Sequence, residues 1–367
     1  MFAAVHSLPE VGVDIRTKMR YKPLASLPGD PVSTSITLHA SSRHEPVVTD
    51  ATRDDDRLWF WFFATHHSST HVEGALMSAG ERLPGTPTPM HTWIGAGGLT
   101  IAGDTWGDPH GPLVVLQHGG GQTRHAWKGA GETLGNVGYH AVAFDARGHG
   151  DSGWAPADEY GPDYMVQDLL CVVEALGGAR PILVGASMGG GISLIAIGAS
   201  HLDASALVLV DMAPHIEPEG ARRIQAFMDQ KPEGFDTLQE VADAIANYQP
   251  HRPRPRLLDG LAKNVRLGAD GKYHWHWDPA RRRARGDPQA YRERLHACAN
   301  HLNVPTLLVR GGLSDVLSEA GAQRFLQQCP HAEYVNVANA AHMVAGDRND
   351  IFAESVIAFL KRVAPAS

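Results

Sequence analysis

Beyond residue 90, short runs of nearly uninterrupted apolar residues alternate with segments of helical periodicity. The apolar runs cover residues 112–118, 139–144, 181–184, 206–210 and 305–309. Runs of this length without polar alternation are typical of β-strands that are buried on both faces of a sheet. The helical patterns cover residues 163–176, 188–199, 319–328 and 350–363. The alternation predicts an α/β fold, with a mostly parallel central sheet covered by helices on both faces.

The chain divides into three parts of different composition. Residues 1–90 mix Ser, Thr, Pro and Asp without periodicity, and they predict a poorly ordered or loosely packed amino-terminal extension. An alternative hypothesis is that translation starts at Met77 or Met90. We expect the α/β core to comprise residues 91–213 and 301–367 and to open with a β-hairpin.

Residues 214–300 form the third part, because they interrupt the alternation and contain no buried strand-like run. Helix-like stretches at 219–229 and 238–248, a Pro-rich segment at 250–255 and an aromatic patch at 273–277 occur there instead. This segment, called the insert below, is predicted to form a mostly helical cap domain over the carboxyl ends of the strands, where open α/β sheets place their sites. Its run of arginines at 281–285 is predicted to face solvent.

Composition excludes several classes of protein. The chain has 367 residues, 43% of them apolar, and a net charge of −8, so we expect a globular protein that does not bind nucleic acid. Its three cysteines form no CxxC pair, which argues against a disulfide framework or a Cys-based zinc site. The histidine group at 66–71 lacks carboxylate support and is expected to be exposed rather than metal-binding. No apolar run approaches the ~20 residues of a membrane span, and no secretory signal is visible, so a cytoplasmic location is expected.

The motif GASMG at residues 185–189 stands between an apolar strand run and a helical pattern. A sharp turn from strand to helix needs small flanking residues, and it lets a strained serine project from the top of the sheet. The amino terminus of the following helix favours developing negative charge beside that serine. We therefore predict that Ser187 is a nucleophile.

A serine hydroxyl is a weak nucleophile at neutral pH, and it needs a base that is itself oriented by an acid. His342 follows the short apolar run 332–337 and is the candidate base. Asp315 lies in a polar loop just after the 305–309 run and is the candidate acid. Asp211 also ends a strand-like run, but we expect it to form hydrogen bonds at the start of the insert.

Acyl transfer also requires hydrogen-bond donors for an oxyanion. The sequence HGGG at residues 118–121 follows a buried strand run, and glycines there allow backbone N–H groups to turn inward. We assign the oxyanion hole to the amides of Gly120 and of Met188, the residue after the nucleophile. Gly119 and Gly121 are alternatives to Gly120.

Residues 91–367 resemble the α/β-hydrolase family, in the branch that carries a cap domain. The motifs that carry the resemblance are HGGG (118–121), FDARGHGDS (144–152), GASMGG (185–190), Ser314-Asp315 and AAHM (340–343). The resemblance implies that the second of these segments is a structural loop, which Asp145, Arg147 and His149 pin by hydrogen bonds. Epoxide hydrolases and haloalkane dehalogenases of this family need Asp as the nucleophile, and Ser187 argues against both.

Together these residues predict a serine hydrolase that cleaves a small or medium carboxylic ester through an acyl-enzyme intermediate. The substrate is expected to be a small molecule with an apolar part, and no metal or organic cofactor is implied. The residues predicted to line its pocket are Trp127, Tyr248, Trp275, Trp277 and Met343. Alternatives are a carbon–carbon bond hydrolase acting on a ring-fission diketone, a cofactor-free haloperoxidase or perhydrolase, and a ligand-binding receptor or regulator on the same fold. The oligomeric state stays open.

The carbon–carbon reaction places an extra demand on the site, since a cationic or amide group must hold the carboxylate of its substrate. Near the HGGG segment the sequence offers Arg124 for this purpose, and the arginine run of the insert is expected to face solvent. We therefore rank ester hydrolysis first.

Overall fold

The computed structural model of the protein describes residues 80–178, 180–252, 258–284 and 286–366. Most of the predicted extension therefore lies outside the described residues, and so do the histidine group at 66–71 and Arg285. The three cysteines, Cys171, Cys298 and Cys329, are free thiols.

Among the described residues, an eight-stranded sheet forms the centre of the fold. The strands in chain order are β1 (Glu81–Arg82), β2 (His91–Ile94), β3 (Thr100–Trp106), β4 (Leu113–Gln117), β5 (His140–Phe144), β6 (Ile182–Ala186), β7 (Ala206–Val210), β8 (Val265–Leu267), β9 (Tyr273–Trp275), β10 (Thr306–Gly311) and β11 (Glu333–Val337). The strand order across the large sheet is β11-β10-β7-β6-β4-β5-β3-β2. Strands β4, β5, β6, β7, β10 and β11 are parallel, and β2 and β3 form an antiparallel hairpin at one edge. The predictions of a mostly parallel sheet and of the hairpin are confirmed.

The helices alternate with these strands along the chain. They are α1 (Lys128–Asn136), α2 (Pro162–Ala175), α3 (Met188–Gly198), α4 (Pro218–Asp229), α5 (Leu238–Tyr248), α6 (Pro288–Asn300), α7 (Glu319–Gln328), α8 (Val344–Asp347) and α9 (Asn349–Val363). The sequence predicts α2, α3, α4, α5, α7 and α9 to within two residues at each end. It does not predict α1, α6 and α8, because α1 contains several glycines, α6 has only a weak apolar periodicity and α8 has four residues.

Successive residues of the central strands face two separate apolar cores, because side chains alternate across a strand. Val115 of β4 lies in the core that α2, α3, α6 and α7 cover. Its neighbours Val114 and Leu116 lie in the opposite core, which α1 and α9 cover. Burial on both faces explains why these strands have uninterrupted apolar runs, and it confirms the prediction of helices on both faces.

The carboxyl ends of the parallel strands lie at one edge of the sheet, and polar or glycine-rich segments follow them there. Ser187 follows β6, Asp211 follows β7, and His342 comes shortly after β11. The glycine loop (residues 118–122) follows β4, and the loop 145–152 follows β5. The parallel sheet therefore gathers segments that are far apart in the sequence.

The insert contains helices and a small sheet. Helices α4 and α5 lie where the sequence predicts them, but β8 and β9 form an antiparallel sheet with β1 that the sequence does not predict. Both strands are short, and Arg266 and His274 interrupt them, so no apolar run marks them. The insert thus contains a small sheet beside its helices, and the mostly helical cap with these outer bounds stays a prediction. Helix α6 packs closely on α3, since a Cβ atom on Gly198 would lie 2.4 Å from the carbonyl oxygen of Cys298.

Several ion pairs attach the insert to the core, and two of them show how differently such pairs are exposed to solvent. Arg223 Nη2 on α4 lies 2.8 Å from Asp315 Oδ2, with 55% and 35% of the two side chains exposed. Arg252 Nε lies 2.5 Å from Asp347 Oδ1, and the Asp347 side chain is only 4% exposed. The two attachments therefore differ strongly in their access to solvent.

A buried ionic network holds the loop 145–152 against the core. The guanidinium of the fully buried Arg124 lies 2.6 Å from Asp145 Oδ2, 2.9 Å from Asp151 Oδ2 and 3.0 Å from Asp104 Oδ2. A buried cation among carboxylates is stable only as a set, because removal of one member leaves uncompensated charge in a medium of low polarity.

Arg147 and His149 complete the attachment of this loop. Arg147 Nε donates to Asp168 Oδ2 on α2 at 2.6 Å. His149 Nε2 accepts a hydrogen bond from Gly121 N–H at 3.3 Å. The prediction that Asp145, Arg147 and His149 pin the loop by hydrogen bonds is confirmed.

We expect Arg124→Met to lower the free energy of unfolding by about 3–5 kcal/mol, because the carboxylate of Asp145 stays buried without its cation. The control is Arg180→Met, which breaks the exposed pair of Arg180 with Asp203 and should cost less than about 1 kcal/mol. Urea unfolding followed by circular dichroism measures both changes. Equal losses in the two variants would contradict a stabilising role for the buried network.

Candidate active site

Ser187 stands at the turn from β6 to α3 in a strained backbone conformation. Its φ of 47° and ψ of −110° lie outside the regions that residues with a side chain favour. The turn is tight because α3 packs directly on β4, and a Cβ atom on Gly189 would lie 2.5 Å from the carbonyl oxygen of Gln117. Ser187 N–H donates to Val210 O at 3.1 Å, which fixes the serine beside the end of β7. Packing therefore requires the small residue at Gly189 that the sequence motif supplies.

Asp211, directly after β7, is hydrogen-bonded to His342. His342 Nδ1–H donates to Asp211 Oδ2 at 2.7 Å, and the Asp211 side chain is fully buried. Gly311 N–H donates to Asp211 Oδ1 at 2.9 Å, and the Ser314 hydroxyl donates to Oδ2 at 2.5 Å. These donors fix the carboxylate, and the carboxylate in turn orients the His342 ring. Ser314 and Gly311 are site residues that the sequence analysis missed.

The expectation that Asp315 orients the histidine is corrected by this geometry. Asp315 makes no hydrogen bond or ion pair with His342 in the described structure, and its carboxylate pairs instead with Arg223 in a partly exposed position. The sequence analysis identifies the right loop, but Ser314, the residue before Asp315, is the one whose side chain hydrogen-bonds to Asp211. Asp211 has the contact that the sequence analysis assigned to Asp315.

The glycine loop lies beside the serine. A Cβ atom on Gly119 would lie 3.3 Å from the Cβ atom of Ser187. Met228 and Trp277 of the insert cover the loop from the other direction, since a Cβ atom on Gly121 would lie 3.5 Å from each of these side chains. A side chain at Gly119 would be crowded by Ser187, and the φ of 73° at Gly121 favours glycine there.

Two backbone amides of this region are left without a partner. The amide of Gly119 donates to a side chain within the loop at 2.9 Å, and that of Gly121 donates to His149 at 3.3 Å. In the part of the chain that the structure describes, the amides of Gly120 and Met188 make no hydrogen bond. Of the three glycines considered from the sequence, Gly120 is thus the one whose amide is open to a ligand.

Three buried histidines hold the glycine loop. His118 Nδ1–H donates to Gly119 O at 2.8 Å, and His149 Nε2 accepts from Gly121 N–H at 3.3 Å. His276 of the insert donates its Nε2–H to Gly121 O at 3.2 Å. The sequence analysis missed the contact of His276 with the loop, because it joins distant segments, and it assigned no role to the ring of His118 within the loop.

The other ring nitrogen of each histidine also has a backbone partner, in each case in the loop 145–152. These bonds are Ala146 N–H to His118 Nε2 (2.9 Å), His149 Nδ1–H to Arg147 O (3.1 Å) and Gly150 N–H to His276 Nδ1 (2.9 Å). Every ring therefore donates once and accepts at least once, which fixes the neutral form. Burial lowers the pKa of His118, and it lowers the pKa of His149 and His276 well below the usual value of a histidine.

The predicted pocket residue Trp127 does not lie at the site. Its ring is fully buried, and it packs against Phe352 of α9 with a centroid distance of 5.7 Å. A short 3-10 helix, Arg124–Trp127, follows the glycine loop and directs this ring into the core that α1 and α9 cover. Its closeness to the loop in sequence does not make it a neighbour of the substrate.

The other predicted pocket residues lie in or beside the insert. Trp277 contacts the glycine loop, and Trp275 stacks on Trp277 at a centroid distance of 4.8 Å. Tyr248 belongs to the same apolar cluster through its stacking partner in α4, at 4.2 Å. Met343 follows His342, and its Sδ accepts a hydrogen bond of 2.7 Å from the insert. A role for these four in substrate binding stays a prediction.

A cavity of about 380 Å³ opens between the insert and Trp154 of the core. Met228 and Trp277 form part of its wall. Ser187 and His342 are not among the described residues that line it. Since Met228 and Trp277 also contact the glycine loop, these two side chains stand between the cavity and the loop.

The arginines near the glycine loop are placed differently from the expectation. Arg124 cannot hold a substrate carboxylate, because it is fully buried among its aspartates. Arg281 of the insert turns inward instead, with Nη1 2.9 Å from His149 Nε2 and Nη2 3.3 Å from Met188 Sδ. The arginine run therefore does not face solvent uniformly, although Arg282 and Arg283 are exposed.

In the described ranges, no group of three or more His, Cys, Asp or Glu residues is arranged to hold a metal ion. Within the same ranges, no helix combines the length and the apolar character that crossing a bilayer demands.

Comparison with known proteins gives matches over most of the core and the insert. The family model described as alpha/beta hydrolase fold matches residues 112–348. Esterase Rv0045c of Mycobacterium tuberculosis is 28% identical over 269 residues, which cover 71% of this chain and 86% of that protein. The 3-hydroxybutyrate-oligomer hydrolase of Cupriavidus necator is 28% identical over 261 residues, which cover 67% of this chain and 88% of that protein.

Solved structures resemble the same region. A structure of the M. tuberculosis esterase Rv0045c has a TM-score of 0.60 at 27% identity, over 75% of this chain and 93% of that one. E-2-(acetamidomethylene)succinate hydrolase has a TM-score of 0.65 at 22% identity, over 74% of this chain and 99% of that one. The second likeness, at its lower identity, concerns the fold alone.

We expect the free energy of unfolding to fall as the pH is lowered below about 6.5, the usual pKa of histidine. The folded pKa of His118, His149 and His276 lies below the unfolded value, so protons bind preferentially to the unfolded chain in this range. Each group contributes up to about 1.4 kcal/mol per pH unit, and the stability is fully present above about 6.5. Urea unfolding at pH 7.5, 6.5 and 5.5 measures the slope.

The matched comparison for this pH dependence is His149→Asn against His110→Asn. The first variant should show a shallower slope than the wild type, because it removes one of the depressed groups. His110 is an exposed residue, and its replacement should leave the slope unchanged. An unaltered slope in His149→Asn would contradict the assignment of a neutral, buried ring.

Proposed function

Because this chain belongs to the α/β-hydrolase family, whose model matches residues 112–348, we propose that it is a serine hydrolase that cleaves a small or medium carboxylic ester. The observation that carries the proposal is the 2.7 Å contact of His342 Nδ1 with the buried Asp211, at the sheet edge where the strained Ser187 stands. The relatives named as esterase and hydrolase support an enzymatic role.

Ser187, His342 and Asp211 would act together as a catalytic triad. Ser187 Oγ attacks the ester carbonyl carbon, and its proton passes to His342 Nε2. Asp211 accepts the Nδ1–H bond throughout, which keeps Nε2 as the basic nitrogen and stabilises the imidazolium. Ser187 and His342 do not hydrogen-bond to each other in this structure, and such bonds often tighten only when substrate is bound.

The amides of Gly120 and Met188 would stabilise the negative charge that develops on the carbonyl oxygen. Both lack another partner among the described residues, and the amino terminus of α3 adds its positive dipole end beside Met188. His342 then gives its proton to the leaving alcohol. Water attacks the acyl-enzyme with His342 as base, which releases the carboxylic acid and restores Ser187.

The apolar part of the substrate would bind against the insert. Met228 and Trp277 contact the glycine loop, and they supply an apolar wall beside the proposed oxyanion site. The names of the two relatives, an esterase and a hydrolase of 3-hydroxybutyrate oligomers, agree with an ester substrate. We therefore propose a small-molecule ester with an apolar group rather than a macromolecular partner.

A carbon–carbon bond hydrolase is the second candidate, and Arg281 is the observation that favours it. This reaction needs a cation for the substrate carboxylate, and Arg281 Nη2 lies 3.3 Å from the side chain of Met188, the residue after the serine. Ester hydrolysis needs no such group, so the relative rates on the two substrates decide between the candidates.

We expect Ser187→Ala to fold normally and to lose about 10³-fold or more in kcat on p-nitrophenyl esters, because the nucleophile is removed. A panel of short-chain to medium-chain esters, run beside a ring-fission diketone, measures the substrate class. Wild-type kcat/KM should be higher on the best ester than on the diketone. Hydrolysis by Ser187→Ala that matches the wild type at equal purity would contradict the role of Ser187, and the reverse ranking would favour the second candidate.

The paired variants Asp211→Asn and Asp315→Asn test which carboxylate orients the histidine. Asp211→Asn should lose about 10³-fold or more in kcat, because the amide no longer holds His342 in the required tautomer. Asp315→Asn removes only the partner of Arg223, so its kcat should stay within about 3-fold of the wild type. A larger loss in Asp315→Asn than in Asp211→Asn would reverse the assignment.

A further inference from the structure

Strand β9 ends at Trp275, and the chain bends at His276 and Trp277. Trp275 and Trp277 stack on each other at 4.8 Å within the apolar cluster of the insert. His276, between them, is 1% exposed and hydrogen-bonds to the core instead. The two tryptophans thus anchor a histidine of the insert whose ring hydrogen-bonds to the core.

His276 joins two loops of the core. Its Nε2–H donates to Gly121 O at 3.2 Å, and its Nδ1 accepts from Gly150 N–H at 2.9 Å. Two residues later, Asp278 N–H donates to Gly148 O at 2.9 Å, so the backbone of this segment is itself fixed to the core. His276 is therefore held rigidly enough to position a partner.

The glycine loop needs such a partner, because three consecutive glycines leave its backbone with unusual conformational freedom. The Gly120 amide shares a planar peptide with the Gly119 carbonyl, and the two point in opposite directions. His118 holds that carbonyl at 2.8 Å, and His276 holds the carbonyl of Gly121 at 3.2 Å. The direction of the Gly120 amide therefore depends on bonds at both neighbouring glycines.

We propose that His276 is a positioning residue, through which the insert holds the glycine loop in the conformation that presents the Gly120 amide to an oxyanion. The inference rests on the proposed function, and it adds a role of the insert in the chemical step. His276 does not touch the substrate, and it acts through Gly121. A displaced insert would leave Ser187, His342 and Asp211 in place but would loosen one donor of the oxyanion hole.

Two substitutions of His276 distinguish the roles of the two hydrogen bonds that its ring makes. His276→Gln places its terminal amide near the position of Nε2, and so it keeps a donor for Gly121 O. His276→Asn places its amide near the position of Nδ1, and so it keeps a partner for Gly150 N–H alone. We expect His276→Gln to retain kcat within about 3-fold and His276→Asn to lose about 10-fold or more, with KM within about 2-fold in both, because misplaced catalytic groups mainly slow the chemical step.

The matched control is His274→Asn, two residues earlier on the same segment. The His274 ring pairs with Asp270 at the protein surface, at 2.9 Å, and its replacement should leave kcat unchanged. Circular dichroism and thermal unfolding verify that each variant is folded. Equal losses of kcat in the two His276 variants, or a change confined to KM, would overturn the proposal. If His276→Asn does not fold, a loss of about 10-fold or more in His276→Gln alone overturns it.

Hydrogen exchange separates failure of this inference from failure of the proposed function. If the wild-type protein cleaves no ester and Ser187→Ala behaves identically, the proposed function has failed, and kcat no longer reports on the loop. Amide exchange in peptides spanning residues 118–123 needs no substrate. Faster exchange in His276→Asn than in His276→Gln supports the positioning role, and equal exchange in the two variants overturns it.

Discussion

Asp211 has its carboxylate fully buried, and the candidate site is assembled around it. Gly311 at the end of β10 and Ser314 in the following loop donate hydrogen bonds to it, and His342 does so from the segment after β11. A buried carboxylate without donors would be costly, so these segments are stable only in the mutual arrangement that satisfies it. The register of β7 with β10 and of β10 with β11 thus determines where the His342 ring lies. Ser187 follows β6, the other neighbour of β7, so Ser187 and Asp211 occupy adjacent strand ends, and His342 reaches Asp211 from beyond β10.

The sequence predicts the sheet, six of the helices among the described residues, the serine turn and the histidine, because each depends on local patterning. It does not predict the acid, since Asp211 and Asp315 both follow buried strands and only the three-dimensional path of each loop separates them. The hydrogen bond from Ser314 to Asp211 turns that loop so that Asp315 faces Arg223. The prediction that Trp127 lines the pocket is wrong for the same reason. Nearness along the chain does not determine the face of the sheet on which a ring is buried.

Neutral histidines suit the space under the glycine loop better than charged residues would. Each ring offers one donor and one acceptor, and the backbone groups that it must satisfy include both N–H and C=O. A cation buried there would need a counter-charge, as Arg124 does with its three aspartates. No pattern in the sequence links positions 118, 149 and 276, because the bonds join a loop after β4, a loop after β5 and the insert. Such contacts can be recognised only in the folded structure, where the paired strands bring these segments together.

The ion pairs between insert and core respond differently to dissolved salt. Dissolved ions weaken the attraction between exposed charges over distances of about 8 Å at physiological concentrations, whereas buried pairs are shielded from them. The pair of Arg223 and Asp315 is open to solvent, whereas the carboxylates that pair with Arg252 and Arg266 are largely covered. Added salt should therefore weaken the attachment of α4 to the core more than it weakens the attachments at Arg252 and Arg266.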